Sequence, residues 1–243
     1  MTEKEMKIIK VIGKITFIKP LLRYIFKDKF NKYVSVNELK SKESFRNYAL
    51  EALSKFDECM KENNYFYTLA FGSILGAIRE KGFIKHDLDI DVYMWIEDFN
   101  SNIIKELKKY GFTWYSNYLV DNGKLGREDT FEYKGAHIDI FYIYPKMDKY
   151  PYCCDFVQDK GLKKNQRLPR RIEFPIIKER KLVDFENLKL YVPSNAEEIC
   201  QFRYGPNFMI PDPSWDWVNA KESIVEWRKM IKHTTINYNL QNI

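Results

Sequence analysis

The spacing of apolar residues along the chain predicts an alternation of helices and strands. Between Ser44 and about Asn63, apolar positions recur every three or four residues, which predicts an amphipathic helix. The apolar runs that follow predict strands over residues 65–71, 87–95, 113–118, 130–133 and 137–144. Gly72-Ser73 is expected to turn the chain into a short helix over residues 74–80, and another helix is expected near 98–110.

The middle of the second half carries weaker signals. Residues 145–169 are rich in turn-forming and polar residues, which predicts a loop. Residues 174–192 predict two strands that turn at Glu186-Asn187.

The C-terminal part is predicted to be helical. Ser194, with Glu197 three positions later, predicts the capping box of a helix that runs to about Tyr204. A loop rich in Pro and Trp over residues 206–217 precedes a last helix expected near 218–232. The whole pattern predicts an α+β fold, with a mixed sheet flanked by helices and a helical C-terminal part.

Positive charge is concentrated at the N-terminus. Residues 1–32 hold nine lysines and arginines against three acids, which accounts for the entire formal net charge of +6. Apolar clusters alternate with these basic residues, and Pro20 interrupts them. The pattern is typical of a basic amphipathic arm. Two placements stay open: residues 7–33 at an anionic membrane surface, or the apolar face packed on the rest of the protein.

Composition limits the class of protein. Hydrophobic residues make up 45% and charged residues 30% of the chain, which is typical of a globular protein. The four cysteines have no paired C-x-x-C spacing, so a zinc site is not expected. The start, MTEKEMK, is unlike a signal peptide. The sequence contains no run of about 18 uncharged apolar residues, which is the length that a helix needs to span a bilayer. We expect a cytoplasmic protein, with the inner face of the membrane as the place where the arm would bind.

The strongest chemical signal is a set of aspartates that alternate with apolar residues. The motif DLDIDV places Asp87, Asp89 and Asp91 at alternate positions, and HIDIF repeats the pattern around Asp139. On a strand, alternate side chains share a face and lie about 6.5 Å apart. Crowded carboxylates repel one another unless a cation neutralises them, and Mg²⁺, with Mn²⁺ as the alternative, suits such ligands. The competing interpretation is a solvated acidic strand edge.

A second motif accompanies the acidic strand. Gly72-Ser73, thirteen residues before Asp87, ends a predicted strand and opens a helix, so its backbone N–H groups and hydroxyl suit a phosphate. The combined pattern resembles the nucleotidyltransferase superfamily of DNA polymerase beta. The string FGSILGAIREKGFIKHDLDIDV is similar in more detail to the LicD family, and the match covers about residues 44–217. Matching positions are Gly72, Leu75, Gly76, Arg79, Gly82, Phe83, Ile84, Asp87, Asp89 and Asp91.

Further positions fit the LicD layout, and three depart from it. The later stretches around Asp139 and over residues 203–211 agree with the family pattern. Lys85-His86 replaces Pro-Trp, Leu88 replaces an acid, and Ser73 stands where Thr is usual. The retained aspartates imply that the metal chemistry is kept. The replacement of Pro-Trp leaves the identity of the donor molecule undetermined.

The resemblance implies a fold, a reaction and a division of roles. The core, residues 43–192, would be a nucleotidyltransferase-fold sheet, between an arm over 1–42 and a helical region over 193–243 packed on the core. The reaction would move a phospho-alcohol from a CDP-linked donor to a glycan or lipid-linked glycan hydroxyl: phosphocholine in bacterial LicD proteins, ribitol phosphate in fukutin relatives.

The expected site residues follow from this reaction. Asp89 and Asp91 would hold a magnesium ion at the donor's phosphates. Asp139 would complete the metal site or take the acceptor's proton, and Asp87 would be a ligand or a support. The residues expected to bind the donor are Gly72, Ser73, Arg79, Lys85 and His86.

Two alternative functions stay open from the sequence. The first is a nucleotidyltransferase that attaches a nucleoside monophosphate to a small acceptor and releases pyrophosphate. The second is a non-enzymatic protein whose basic arm binds a membrane surface. Nucleic acid is not an expected partner, because arginine is scarce in the arm and no recognised nucleic-acid module is present.

Overall fold

The computed structural model describes residues 27–145, 150–212, 214–217, 223–238 and 240, with side chains from residue 42 onward. The chain separates into two compact units, Met1–Asn47 and Tyr48–Ile243. In the first unit the described residues are helical, and most of the predicted membrane-binding stretch lies outside the described part. Among the described residues, no helix combines the length and apolar character needed to cross a membrane.

The described residues form α-helices and β-strands in an α+β arrangement. The α-helices are α1 (Lys27–Glu62), α2 (Phe71–Arg79), α3 (Asn102–Lys109) and α4 (Ala196–Tyr204). The strands are β1 (Thr68–Leu69), β2 (Ile90–Trp95), β3 (Thr113–Val120), β4 (Gly126–Tyr133), β5 (Ala136–Ile143), β6 (Tyr152–Val157), β7 (Leu168–Glu173), β8 (Arg180–Phe185), β9 (Leu188–Pro193), β10 (Ile224–Glu226) and β11 (Thr234–Tyr238). Two 3₁₀ helices occupy Ile96–Asp98 and Arg228–His233.

A mixed sheet of six strands organises the second unit, as the sequence predicts. Its order is β1-β2-β5-β4-β3-β11. Strands β2 and β5 run parallel, and the other neighbours are antiparallel. On β2 and β5, Ile90, Val92, Ile138 and Ile140 are fully buried, so the residues between them point to the opposite face. That opposite face carries the acidic side chains.

The helix predicted from Ser44 is confirmed as the second half of α1. Its buried residues within the second unit recur at helical spacing: Ala49, Ala52, Leu53, Phe56, Cys59 and Met60. The Phe56 ring lies 5.3 Å from the Tyr67 ring and 6.4 Å from the Phe112 ring. Because Tyr67 precedes β1 and Phe112 precedes β3, this contact packs α1 against the sheet.

Strand β6 and the first two residues of β7 lie where the sequence predicts only a loop. Strands β6 and β7 pair antiparallel within residues 145–173, and β10 adds to the other edge of β7. The loop prediction was wrong because charged residues make this segment look like a polar loop in the sequence. In the folded sheet these charges are buried in pairs and neutralise each other. Asp155 of β6 and Arg170 of β7 are both buried and are directly paired in register. By contrast, the hairpin of β8 and β9 turns at Glu186-Asn187 as predicted.

The predicted last helix is also wrong in the part that the structure describes. Residues 224–238 form β10, a 3₁₀ helix and β11 instead. The β-branched residues of this segment suit strands, and β3 and β7 each offer an edge for pairing. The predicted N-cap is one residue early: Asn195 is the N-cap of α4, and the Ser194 N–H donates to the Glu179 carbonyl at 2.9 Å.

Candidate metal and phosphate site

Three polar side chains line up across the parallel strand pair and its neighbour. Asp91 of β2 lies opposite Asp139 of β5, and Asp139 lies opposite Thr130 of β4. All three residues point to the same face because residues paired in register on neighbouring strands share a face of the sheet. The register therefore brings two carboxylates, far apart in sequence, next to each other.

A third carboxylate completes the cluster. Asp89 lies just before β2, and its oxygen comes within 4.8 Å of oxygens of both Asp91 and Asp139. Asp89 is exposed, whereas Asp91 is buried, so the cluster reaches from the core to the surface. Oδ1 of Asp139 is buried and has no hydrogen-bond partner in the described chain. An unpaired buried carboxylate oxygen among other carboxylates fits a hard divalent cation such as Mg²⁺.

Asp87 occupies a different position from the one that the alternating motif predicts. Strand β2 begins only at Ile90, so Asp87 lies in the turn before it, where its N–H donates to the Ile84 carbonyl at 2.9 Å. Its carboxylate packs on Gly72 in the first turn of α2, and a side-chain carbon at Gly72 would clash with it. The glycine is needed here because this carboxylate approaches the backbone so closely.

Ser73 holds the backbone of Asp91 in place through a hydrogen bond. Its side chain is buried, and its hydroxyl oxygen accepts a hydrogen bond from the Asp91 N–H at 3.0 Å. The Asp91 carbonyl in turn accepts from the Ala70 N–H at 2.9 Å. Both backbone groups of Asp91 are thus held by the start of α2, which fixes the position of its carboxylate. The hydroxyl that the sequence predicts to bind phosphate is thus a hydrogen-bond acceptor in a structural contact.

Burial and mutual repulsion raise the pKa values of the clustered carboxyl groups. Burial, and then the charges of Asp89 and its neighbours, raise the pKa of Asp91 well above its ordinary value. Burial raises the pKa of Asp87 to about 8, and its hydrogen bond with Asp89 adds to the shift. Burial also raises the pKa of Asp139 to about 7, although a hydrogen bond with Thr130 opposes the change. Without a cation, the cluster therefore retains protons near neutral pH.

Glu128 is a carboxylate of the site that sequence reasoning missed. It lies two residues before Thr130 on β4, on the same face, and it lines the same cleft as Asp139. Burial, followed by the charges of Asp139 and Asp155, raises its pKa well above the ordinary value. Its motif shows an acidic pair, Glu128-Asp129, but only the pairing of β4 with β5 assigns Glu128 to this face.

A cleft of about 970 Å³ opens over the carboxylates. Of the residues predicted to bind the donor, Gly72, Arg79 and His86 line it. Lys85 is exposed and, like Ser73, is not among the lining residues.

Arg79 is held on one side of this cleft. Its guanidinium forms an ion pair with Glu80 at 2.8 Å, and Nη1 lies 3.4 Å from the Phe208 carbonyl. Arg79 is thus paired with the neighbouring acid of its own helix end rather than with the aspartate cluster.

Aromatic side chains also line the cleft. Trp215 and Trp217 are 37% and 49% exposed, and the Trp215 ring lies 4.8 Å from that of Tyr204. Arg170 is bound to Asp155 through Nε at 2.9 Å, and its guanidinium carbon lies 5.5 Å from the Trp217 ring centre. The cleft therefore combines carboxylates with exposed aromatic rings.

The fold and the site define a class of protein: a mixed α+β sheet with clustered aspartates on adjacent parallel strands, beside a Gly-Ser turn, is a nucleotidyltransferase-type arrangement. Comparison with known proteins agrees with this class. Residues 64–195 match the family described as LicD/FKTN/FKRP, nucleotidyltransferase domain. The chain belongs to this family.

Its similarity to individual proteins is more distant. It is 24% identical over 201 residues to the ribitol-5-phosphate transferase FKTN of Mus musculus, which covers 77% of this chain and 41% of that protein. With the Homo sapiens protein of the same name it shares 24% identity over 216 residues, 84% of this chain and 44% of the relative. An uncharacterised Caenorhabditis elegans protein is 32% identical over 104 residues, 39% of this chain and 25% of that protein. The chain thus spans less than half the length of these relatives.

Proposed function

We propose that this protein transfers a phospho-alcohol from a CDP-linked donor to a hydroxyl of a glycan, with Mg²⁺ or Mn²⁺ as cofactor. The observation that carries the proposal is the convergence of Asp89, Asp91 and Asp139, whose ligand oxygens lie within 4.8 Å of one another. Family membership and the relatives named ribitol-5-phosphate transferases support the type of reaction. Phosphocholine and ribitol phosphate are the donor groups to test first.

The three aspartates are suited to hold the cation. Carboxylate oxygens are the ligands that Mg²⁺ prefers, and Oδ1 of Asp139 has no hydrogen bond to give up within the described chain. When bound, the cation would neutralise charge on the phosphate oxygens of the donor. Ser73 would keep Asp91 in place through its backbone hydrogen bond.

The reaction also needs a group that takes a proton. The bond between phosphorus and the CMP oxygen breaks, a bond to the acceptor oxygen forms, and the acceptor hydroxyl loses its proton. Glu128 is our candidate to receive that proton, because it lines the cleft beside the metal-binding aspartates and a bound cation nearby would favour its ionised form. Asp139 would then serve as a metal ligand.

The tryptophans that line the cleft suit the acceptor. The exposed faces of Trp215 and Trp217 offer flat apolar surfaces against which a sugar ring can stack. Asp212 and Asp216 line the cleft beside them and provide acceptors for sugar hydroxyls. If the acceptor is linked to a lipid, contact of the basic arm with the inner face of the membrane would bring the cleft to it.

The decisive experiment separates this reaction from nucleotidyl transfer. The purified protein is incubated with Mg²⁺ and either CDP-choline, CDP-ribitol or a nucleoside triphosphate. Transfer or hydrolysis of a CDP-linked donor releases CMP, whereas nucleotidyl transfer releases pyrophosphate. We expect metal-dependent CMP release that is lost in Asp91→Asn. Pyrophosphate release from a triphosphate, without CMP release, would favour the nucleotidyltransferase alternative, and neither product would favour a non-enzymatic role.

A further inference from the structure

Three buried arginines in the described chain differ in how their charge is balanced. Arg127, Arg170 and Arg203 are 8%, 3% and 7% exposed. Arg127 binds Asp129 through two nitrogens, at 2.6 and 3.0 Å. Arg170 binds Asp155 in the same two-pronged manner. In both cases a buried carboxylate compensates the guanidinium, as a buried charge requires.

Arg203 lacks such a carboxylate. It lies in the last turn of α4, and its Nη1 donates to the hydroxyl of Ser223 at 3.0 Å. Its Nε is buried without a hydrogen-bond partner, and no ion pair within 4.0 Å joins it to any acid of the described chain. The guanidinium carbon lies 5.7 Å from the Phe71 ring centre and 5.6 Å from that of Trp215. Its only bonded partner among the described residues is thus neutral.

Glu173 is the nearby acidic residue that could balance the charge of Arg203. Together with Arg203 it lines a cavity of about 10 Å³ that adjoins the cleft, which is room for about one water molecule. Its ion pair, however, is with Arg171, at 3.9 Å. The charge of Arg203 therefore remains available to a ligand.

Arg203 also lines the same cleft as the aspartate cluster. The Phe71 ring connects the two regions: it contacts Phe141, two residues after Asp139 on β5, at 4.8 Å, and Phe71 directly precedes Gly72. Of the other basic residues that line the cleft, Arg79 is paired with Glu80, and His86 is exposed. A ligand rich in negative charge would otherwise meet mainly carboxylates.

We propose that Arg203 binds the diphosphate group of the donor and, together with the cation, balances its negative charge. A guanidinium presents several N–H donors in one plane, which match phosphate oxygens better than an ammonium group does. Because the guanidinium has no carboxylate partner among the described residues, an anionic ligand can supply its counter-charge. The inference rests on the proposed function, because that function supplies a diphosphate ligand.

The test is ligand binding measured by calorimetry in the presence of Mg²⁺, with CDP, inorganic pyrophosphate and cytidine as probes. Arg203→Met is expected to weaken CDP and pyrophosphate binding about 10- to 100-fold, the range of charged hydrogen bonds, and to leave cytidine binding unchanged. Arg203→Lys keeps the charge but loses the planar geometry, so we expect an intermediate loss. Arg127→Lys, in an arginine paired with Asp129, should leave all three affinities unchanged.

The melting temperature of the ligand-free protein distinguishes a binding role from a structural one. Because Arg203 has no carboxylate partner in the described chain, Arg203→Met should melt within a few degrees of the wild type. A large loss of stability with unchanged CDP affinity in Arg203→Lys would overturn the proposal. Glu173→Gln should not alter CDP affinity; if it mimics Arg203→Met, Glu173 and Arg203 act as a structural pair and the proposal is wrong.

The outcomes also separate this inference from the proposed function. If the wild type binds CDP and the Arg203 variants bind it equally well, the role of Arg203 is refuted while the donor class stands. If the wild type binds pyrophosphate in an Arg203-dependent manner but shows no preference for CDP, the anion site stands and the CDP-linked donor is refuted. If the wild type binds neither, both are overturned.

Discussion

Asp91 and Asp139 lie directly opposite each other on two neighbouring parallel strands. Forty-eight positions of sequence separate them, yet the parallel register of β2 and β5 places their carboxylates on the same face. A parallel pair requires a long crossover, and here that crossover contains α3, β3 and β4. The same crossover brings Glu128 and Thr130 beside Asp139, so a single topological feature assembles most of the site.

Loss of either paired aspartate should remove activity. Asp91→Asn and Asp139→Asn each delete an anionic ligand, and we expect CMP release to fall about 100-fold or more, since a bound cation contributes several kcal/mol. Rates are measured over a range of Mg²⁺ concentrations. Asp184→Asn is the control, because Asp184 is exposed and paired with Lys189. Near-normal activity in Asp91→Asn would rule out the proposed metal site.

The metal-free protein should lose stability as the pH rises. In the folded state the pKa is about 7 for Asp139 and about 8 for Asp87, against an ordinary value of 3.8. The folded state therefore binds more protons than the unfolded state between about pH 4 and 8, and stability must fall across this interval, by on the order of a few kcal/mol. Thermal melts in EDTA check the slope.

Mg²⁺ should reverse this loss, and most strongly at high pH. A cation replaces the bound protons, so the Mg²⁺-induced rise in melting temperature should grow from pH 5 to pH 8. In Asp91→Asn both the pH slope and the Mg²⁺ effect should be smaller. A magnesium effect that does not depend on pH would indicate that the cation binds elsewhere.

Gly72 and Asp87 should be energetically coupled. A side-chain carbon at Gly72 would clash with the Asp87 carboxylate, so Gly72→Ala is expected to lower the free energy of unfolding by about 1–3 kcal/mol. Asp87→Ala makes room for the added methyl group, so the double variant should regain part of that loss. Urea denaturation of the four proteins measures the coupling. Strictly additive effects would mean that the clash is relieved in another way.

The Ser73 hydroxyl should matter through Asp91. Ser73→Ala leaves the buried Asp91 N–H without its acceptor, which should cost about 1–3 kcal/mol of stability and reduce Mg²⁺ affinity. Ser73→Thr keeps the hydroxyl and should retain both properties. If Ser73→Ala instead weakens donor binding while Mg²⁺ affinity and stability are unchanged, the hydroxyl contacts the phosphate, as the sequence first suggests.

Glu128 should affect turnover more than metal binding. Glu128→Gln removes the proposed proton acceptor, and we expect kcat to fall about 10²- to 10⁴-fold while Mg²⁺ affinity changes little. Glu132→Gln is the matched control, since Glu132 lies further along β4 and pairs with His137 at 3.5 Å. A parallel loss of Mg²⁺ affinity in Glu128→Gln would make Glu128 a metal ligand.

The sequence by itself determined the local features of this site. Alternation of aspartates with Ile and Val identifies an acidic strand face because the two-residue period of a strand is a property of the backbone. The short helix near residue 74 could also be predicted from local signals, although it begins at Phe71 and so includes Gly72 and Ser73, which the sequence predicts as the turn before it. The first acid of the motif was the exception: Asp87 lies in the turn before β2, since it is the packing on Gly72 that sets its place.

Only the tertiary structure decided which side chains meet. The register of β4 against β5 assigns Glu128 to the acidic face, and no local pattern encodes a register between strands. Strands β6 and β7 escaped prediction because Asp155 and Arg170 make a buried sheet look like a polar loop until their pairing is seen. The unbalanced charge of Arg203 is likewise visible only in three dimensions, because whether a buried charge has a partner depends on every element packed around it.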